Sequence, residues 1–140
     1  MIRICVVDGQ GGGIGSALIK RLKEEFQENI EIIALGTNSI ATSAMMRAKA
    51  NRGATGENSI VITVPSADII IGSLGIVMAN SMMGELTPKM AEAISSSPAK
   101  KMLLPLSQEK VEVIGVSPEP LPHLIECLVT EKLKELVNNV

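Results

Sequence analysis

Residues 8–15 read "DGQGGGIG" and follow directly on the apolar run "IRICVV" (2–7). Each glycine in regular structure costs roughly 0.5–1 kcal/mol relative to alanine through lost backbone entropy, so five within seven residues need a physical reason. The run before them is short, apolar and rich in β-branched residues, the mark of a strand buried on both faces. After them Ile14, Leu18, Leu22 and Phe26 recur at four-residue spacing beside Ala17, while Lys20, Arg21, Lys23, Glu24 and Glu25 take the other face. That pattern predicts an amphipathic helix lying on a sheet. A glycine loop between strand and helix leaves the first helical N–H groups pointing outward at the positive end of the helix dipole. This makes an anion site, and glycines let an anion reach the backbone.

The same alternation continues along the chain. "EIIALG" (31–36) reads as a second strand and "SIATSAMMRAKA" (39–50) as a second helix, ending near Gly53. "SIVITV" and "DIIIGS" both favour strands, yet only "PSA" separates them, too little for a parallel crossover. Topology therefore overrides propensity: 57–64 is a short helix or irregular turn, and 68–73 is the third strand. Thr87 caps a helix with Pro88 in its first turn, "PKMAEAISS" (88–96). "KKMLLPL" (100–106) is the fourth strand and "VEVIGV" (111–116) the fifth. The short "SQEK" link makes the fifth strand antiparallel to the fourth. Leu121, Leu124, Ile125, Leu128, Val129, Leu133, Leu136 and Val137 give a closing helix. The expectation is one three-layer Rossmann-like α/β domain over residues 1–140, its sheet of about five strands mostly parallel with the last antiparallel.

Composition narrows the partners. Hydrophobic residues make up 46% of the chain and the formal net charge is −2, so it is globular, and with Phe26 the sole aromatic the core is aliphatic and Met-rich. Single-strand nucleic acid binding uses aromatic platforms and duplex binding a basic face; neither is present, and nucleic acid is excluded as a partner. The most apolar stretch, "IIIGSLGIVMA", has 11 residues, against about 20 for a membrane span. No secretory leader is read at the start. Cys5 and Cys127 fall in different elements without a CxxC, which points to buried thiols in a reducing cytoplasm. One histidine, His123, read as a surface residue, and two distant cysteines make no structural zinc site, and no metal is expected.

The register of the glycines decides what they resemble. A Walker A loop needs Gly-Lys-Ser/Thr, and Gly15 is followed by Ser16 and Ala17. GxGxxG also fails, because its last glycine would fall on Ile14. Gly9, Gly13 and Gly15 do read GxxxGxG, and the segment resembles the TGxxxGIG loop of short-chain dehydrogenases, with Asp8 in place of threonine. "DIIIGSLG" (68–75) more weakly resembles that family's DxxxNNAG, with Gly72, Ser73 and Leu74 replacing Asn-Asn-Ala. Those enzymes use a catalytic tyrosine; this chain has none, so their catalytic apparatus is not expected, and the resemblance implies a dinucleotide or other phosphate ligand while saying nothing about hydride transfer. "DGQGGGIG", "ALGTN", "ATSAM", "GATGEN", "NSMMGELTP" and "SPAKK" together are similar, nearly end to end, to domain of unknown function 3842. That resemblance implies a bacterial, cytoplasmic, Rossmann-like protein and brings no activity with it.

The candidate ligand-binding residues are therefore Gly9, Gln10, Gly11, Gly12, Gly13, Ile14 and Gly15 of the loop, with Thr37, Asn38 and Ser73 at the ends of the second and third strands. Thr37, Asn38 and Ser39 stand where dinucleotide folds put the acid that holds the ribose; no acid is there, so a ribose phosphate should be accepted as readily as a hydroxyl. The same residues also suit a helix cap. "GATGEN" (53–58) reads as a loop turn, with ligand contact as the alternative. Asn80, Ser81 and Glu85 follow the third strand at the carboxyl edge. Asp8 is read as an Asx-type turn bonding loop N–H groups, with a magnesium bridge as the alternative. The pairs Met45–Met46 and Met82–Met83 are read as core, or as adaptable surface for a homodimer. Three functions stay open: binding of a nucleotide or other phosphorylated ligand, NAD(P) included; an enzyme on a small phosphorylated metabolite using Asp8, Glu57 or Glu85; and an interaction module whose glycines only permit tight packing.

Overall fold

The computed structural model describes residues 1–106 and 110–138. The first strand, β1 (Ile2–Asp8), sends Ile2, Ile4 and Val6 into one apolar layer and Cys5 and Val7 into the other. Alternate strand residues point to opposite faces, so an almost wholly apolar strand requires cover on both. Full burial of a side chain such as Ile4 contributes about 1.5–3 kcal/mol. The other strands are β2 (Ile30–Gly36), β3 (Arg52–Thr55), β4 (Ile69–Ser73) and β5 (Lys100–Leu104). They form one sheet in the order β3-β2-β1-β4-β5.

On one face lie α1 (Gly13–Phe26), α2 (Ser39–Arg47) and a closing helix. The closing helix comprises α5 (Leu121–Cys127), a π-helical stretch (Leu128–Leu133) and α6 (Lys134–Asn138). Leu18, Ile19, Leu22 and Phe26 of α1 meet Ile125, Leu128, Val129 and Leu133 there, as the four-residue spacing predicts. The other face carries α3 (Glu57–Thr63) and α4 (Pro88–Ser96), packed through Ile60, Met90, Ala91 and Ile94. Residues 57–63 are thus helical despite their β-branched sequence. Topology prevails there over propensity because α3 must carry the chain from β3 across to β4.

Every strand pairing is parallel, which corrects the expected antiparallel last strand. Residues 111–116 are not a strand. They contain a turn at Gly115 (φ 90), with the Val116 N–H donating to Val113 O at 3.4 Å. The reason is geometric. Arg21 of α1 pairs with Glu126 at 2.9 Å and Glu25 with Lys134 at 3.9 Å, so the closing helix runs alongside α1 in the same direction and also starts at the carboxyl edge of the sheet. A six-residue strand antiparallel to β5 would end about 20 Å away at the opposite edge. Residues 117–120 would then have to return, and four residues reach at most about 14 Å. Of the "SQEK" link, 107–109 lie outside the described residues.

The remaining strand is β3, which takes the first part of the segment read as a loop turn. Arg52, Gly53, Ala54 and Thr55 include no β-branched apolar residue. As an edge strand bonded only to β2 and largely exposed, β3 needs none. The helix expected to run to residue 50 stops at Arg47, where the chain turns through Lys49 (φ 84) into β3.

Candidate functional site

β1 ends on Asp8, and its carboxylate organises the loop. Oδ1 accepts the Gly9 N–H at 2.8 Å and Oδ2 the Gly15 N–H at 2.7 Å, with Ile14 N–H a further donor. The side chain is 6% exposed. Burial pushes its pKa above the ordinary range, and the three N–H groups oppose that shift without cancelling it. Two of the helix-start donors expected to face a ligand, those of Ile14 and Gly15, are therefore engaged inside the protein. This is the carboxylate-to-loop bonding the sequence led us to expect of Asp8.

The five glycines divide by what a methyl group would meet. At Gly9 a Cβ would lie 2.5 Å from Thr37 Oγ1 and 2.7 Å from Met82 Sδ; at Gly15 it would lie 2.5 Å from Met45 Sδ. Gly12, the residue before α1, is left-handed at φ 75 and would place a Cβ 2.8 Å from the Ala41 carbonyl oxygen. These three let α1, α2 and the loops close on one another. Gly11 and Gly13 differ: each is exposed, neither has a positive φ, and no heavy atom lies within 4 Å of a Cβ added there. No hydrogen bond among the described residues uses either N–H.

Beside the loop lies the point where the sheet order reverses, with β2 and β4 on either side of β1. Thr37 N–H donates to Asp8 O at 3.0 Å, fixing the end of β2 against the glycines. Asn38 caps α2, its Oδ1 accepting from Ala41 N at 2.8 Å. Its amide also donates to Gln10 O at 3.0 Å. Both residues then meet a group from far along the chain. Glu85 Oε1 accepts from Gln10 N at 2.8 Å, Thr37 Oγ1 at 2.7 Å and Asn38 Nδ2 at 2.8 Å. The Gln10 N–H foremost, then the Thr37 hydroxyl, hold the Glu85 carboxyl below its usual range. The sequence marked Glu85 as a carboxyl-edge candidate, but nothing in it links position 85 to 10, 37 and 38.

Glu85 is delivered by a tightly folded segment in which Asn80, Met82 and Met83 are all left-handed, at φ 67, 58 and 56. Such a conformation costs roughly 1–2 kcal/mol per residue. It is offset by Ser81 Oγ donating to Gly75 O at 2.6 Å, Asn80 N–H donating to Leu86 O at 2.7 Å and the full burial of Leu86. Ser73 is 7% exposed at the end of β4, crowded with Ser81 and Met82 around Gly75, and no hydrogen bond among the described residues joins its side chain to the glycine loop. Glu57 accepts from Thr87 Oγ1 at 2.6 Å and so ties α3 to the cap of α4.

The methionine pairs are not wholly core. Met45 is buried but Met46 is 37% exposed, and Met83 is 94% exposed at the tip of its loop. Adjacent residues on a helix point about 100° apart, so only one of Met45 and Met46 can face inward. Arg47 and Lys49, with Lys20, Ser16 and Gly13, border a groove of about 640 Å³ on the outer side of α1 and α2. None of these three cations has an ion pair among the described residues. His123 is exposed, with Nδ1 2.6 Å from Glu119 Oε2. Cys5 is buried in the core, where desolvation pushes its thiol up to about 11, far from a reactive thiolate. Among the described residues no three His, Cys, Asp or Glu come together as metal ligands, and no helix is long and apolar enough to cross a membrane.

Residues 3–138 match the family model Domain of unknown function (DUF3842), and the chain belongs to that family. No curated protein matches significantly. One solved structure is similar: a dodecameric FMN-dependent UbiX-like decarboxylase from Escherichia coli O157:H7, at 16% identity and a TM-score of 0.47. The match covers 97% of this chain and 94% of that one. A likeness of that size bears on neither ligand nor reaction.

Proposed function

We propose that this member of the DUF3842 family binds a nucleotide at the carboxyl edge of β1 and β2, with a ligand phosphate resting on the Gly11–Gly13 backbone. The observation that carries this reading is the pair of open glycines. Each carries a backbone-entropy cost of roughly 0.5–1 kcal/mol against alanine, and no turn geometry or neighbouring atom requires either. A phosphate approaching their N–H groups accounts for both. Two features support it. The site lies where the strand order reverses, the place where open α/β sheets take ligands, and Lys20, Arg47 and Lys49 give the approach past Gly13 a positive field.

No reaction is part of this reading. Asp8 and Glu57 are held by hydrogen bonds within the protein, and the chain has no tyrosine to serve as the proton donor of a short-chain dehydrogenase. Self-association as a homodimer is a separate element, supported by the exposed apolar Met83 and Ile114; sedimentation of the purified chain as a monomer would remove it.

The test is Gly13→Val, titrated calorimetrically with ADP, NAD and FMN. Because position 13 is open, the variant should melt with the wild type. Its affinity for whichever nucleotide binds should fall at least tenfold, about 1.4 kcal/mol. Equal affinity in variant and wild type, or binding of no nucleotide, would overturn the reading.

A further inference from the structure

We infer that Glu85 reads the ribose of that nucleotide, accepting from its hydroxyls and rejecting a ribose that carries a 2′-phosphate. The inference rests on the nucleotide reading above and adds a specificity residue to it. Dinucleotide-binding sheets place an acid just after the second strand, on the ribose 2′-hydroxyl. Here Gly36, Thr37, Asn38 and Ser39 offer none. Glu85 Oε1 instead arrives at that point from the segment after β4, 2.7 Å from Thr37 Oγ1 and 2.8 Å from Asn38 Nδ2. It also accepts the Gln10 N–H at 2.8 Å, so one carboxylate touches both the end of β2 and the glycine loop. The acid missing from the sequence is present in space.

Its remaining capacity fits the role. An ionised carboxylate offers about four acceptor positions over its two oxygens. Oε1 holds all three donors, while no hydrogen bond among the described residues uses Oε2. Oε2 can therefore accept from vicinal hydroxyls, the arrangement a ribose presents. The three donors keep the carboxyl charged, and no lysine or arginine pairs with it among the described residues. A phosphate ester on that ribose would meet a like charge without a counter-ion. Gly9 serves the same arrangement, because a Cβ there would crowd Glu85 Oε1 at 3.0 Å and Thr37 Oγ1 at 2.5 Å.

The competing account is that Glu85 only pins its own loop. Titration of the wild-type chain and of Glu85→Gln with NAD and NADP separates the two. We expect the wild type to bind NAD at least tenfold more tightly than NADP, and Glu85→Gln to bring the ratio to within threefold. A structural role would instead lower both affinities together and keep the ratio, which would overturn the inference. Equal wild-type affinity for NAD and NADP, with Gly13→Val still weakening both, would overturn it while leaving the nucleotide reading intact. Binding of FMN alone would overturn it and leave the nucleotide reading intact, and failure of NAD, NADP, ADP and FMN alike to bind would overturn both.

Discussion

Gly9, Gly12 and Gly15 face into the protein and Gly11 and Gly13 face out of it, and the two sets differ in what an added methyl group would strike. For the inner set the obstacle is the protein itself: Thr37 and Met82, the Ala41 backbone, and Met45. For the outer set no atom lies within 4 Å. A run of glycines is therefore not one signal. The inner three report how closely α1 approaches α2 and the loops, and would be needed in a molecule that bound nothing. Only the outer two are glycines that no neighbouring atom of the chain explains.

The comparison breaks most visibly at Gly12. Alanine there must adopt a left-handed conformation, at about 1–2 kcal/mol, and also push against the Ala41 backbone, where overpacking costs about 1–3 kcal/mol. Urea denaturation of Gly12→Ala should show a loss of roughly 2–5 kcal/mol. A loss under about 0.5 kcal/mol, within the range of an ordinary surface change, would mean that the inner set is not held by packing.

Asp8→Asn comes next, since Asp8 ties together two members of the inner set, Gly9 and Gly15. A carboxamide has one oxygen to offer where Gly9 N–H and Gly15 N–H each hold one of Asp8's. Leaving one of these buried donors unpaired should cost about 1–3 kcal/mol. The pH profile sharpens the point. Burial raises the folded-state pKa of Asp8 above 3.8, so the folded chain binds this proton more tightly than the unfolded chain does. The Asp8 contribution to stability therefore falls as pH rises from 3.8 through the raised value, and stays level above it. Asp8→Asn should lose that slope; an unchanged slope would show that another group causes it.

The smallest effect belongs to the outer set. Gly11→Ala and Gly13→Ala should leave stability unchanged or raise it by about 0.4–1 kcal/mol, because alanine restricts the unfolded chain without clashing in the folded one. A loss above about 1 kcal/mol at either position, beyond the range of an uninvolved surface site, would return that glycine to the inner class.

What the sequence disclosed depended on how local the cause was. β1, α1, β2, β4 and α4 follow from periodicity and caps within a few residues, and α3 followed from a topological limit on crossover length. β3 stayed hidden because Arg52–Thr55 is polar and borrows its order from β2. Residues 111–116 misled because β propensity says nothing about where the next helix must begin. At the site, Asp8 bonding its own loop was legible, its partners being at most seven residues away. The Glu85 contacts span 47 to 75 residues, and no pattern along the chain announces them.

The aliphatic cores described above have a consequence for how this molecule is observed. Phe26 is the only aromatic residue and there is no tryptophan or tyrosine, so the polypeptide is nearly transparent in the near ultraviolet and has no intrinsic tryptophan or tyrosine fluorescence. A purine or flavin retained through purification would dominate the absorption spectrum of the sample. Once nucleic acid has been removed, that spectrum reports occupancy directly, and its loss on unfolding and filtration would give a stoichiometry without any label.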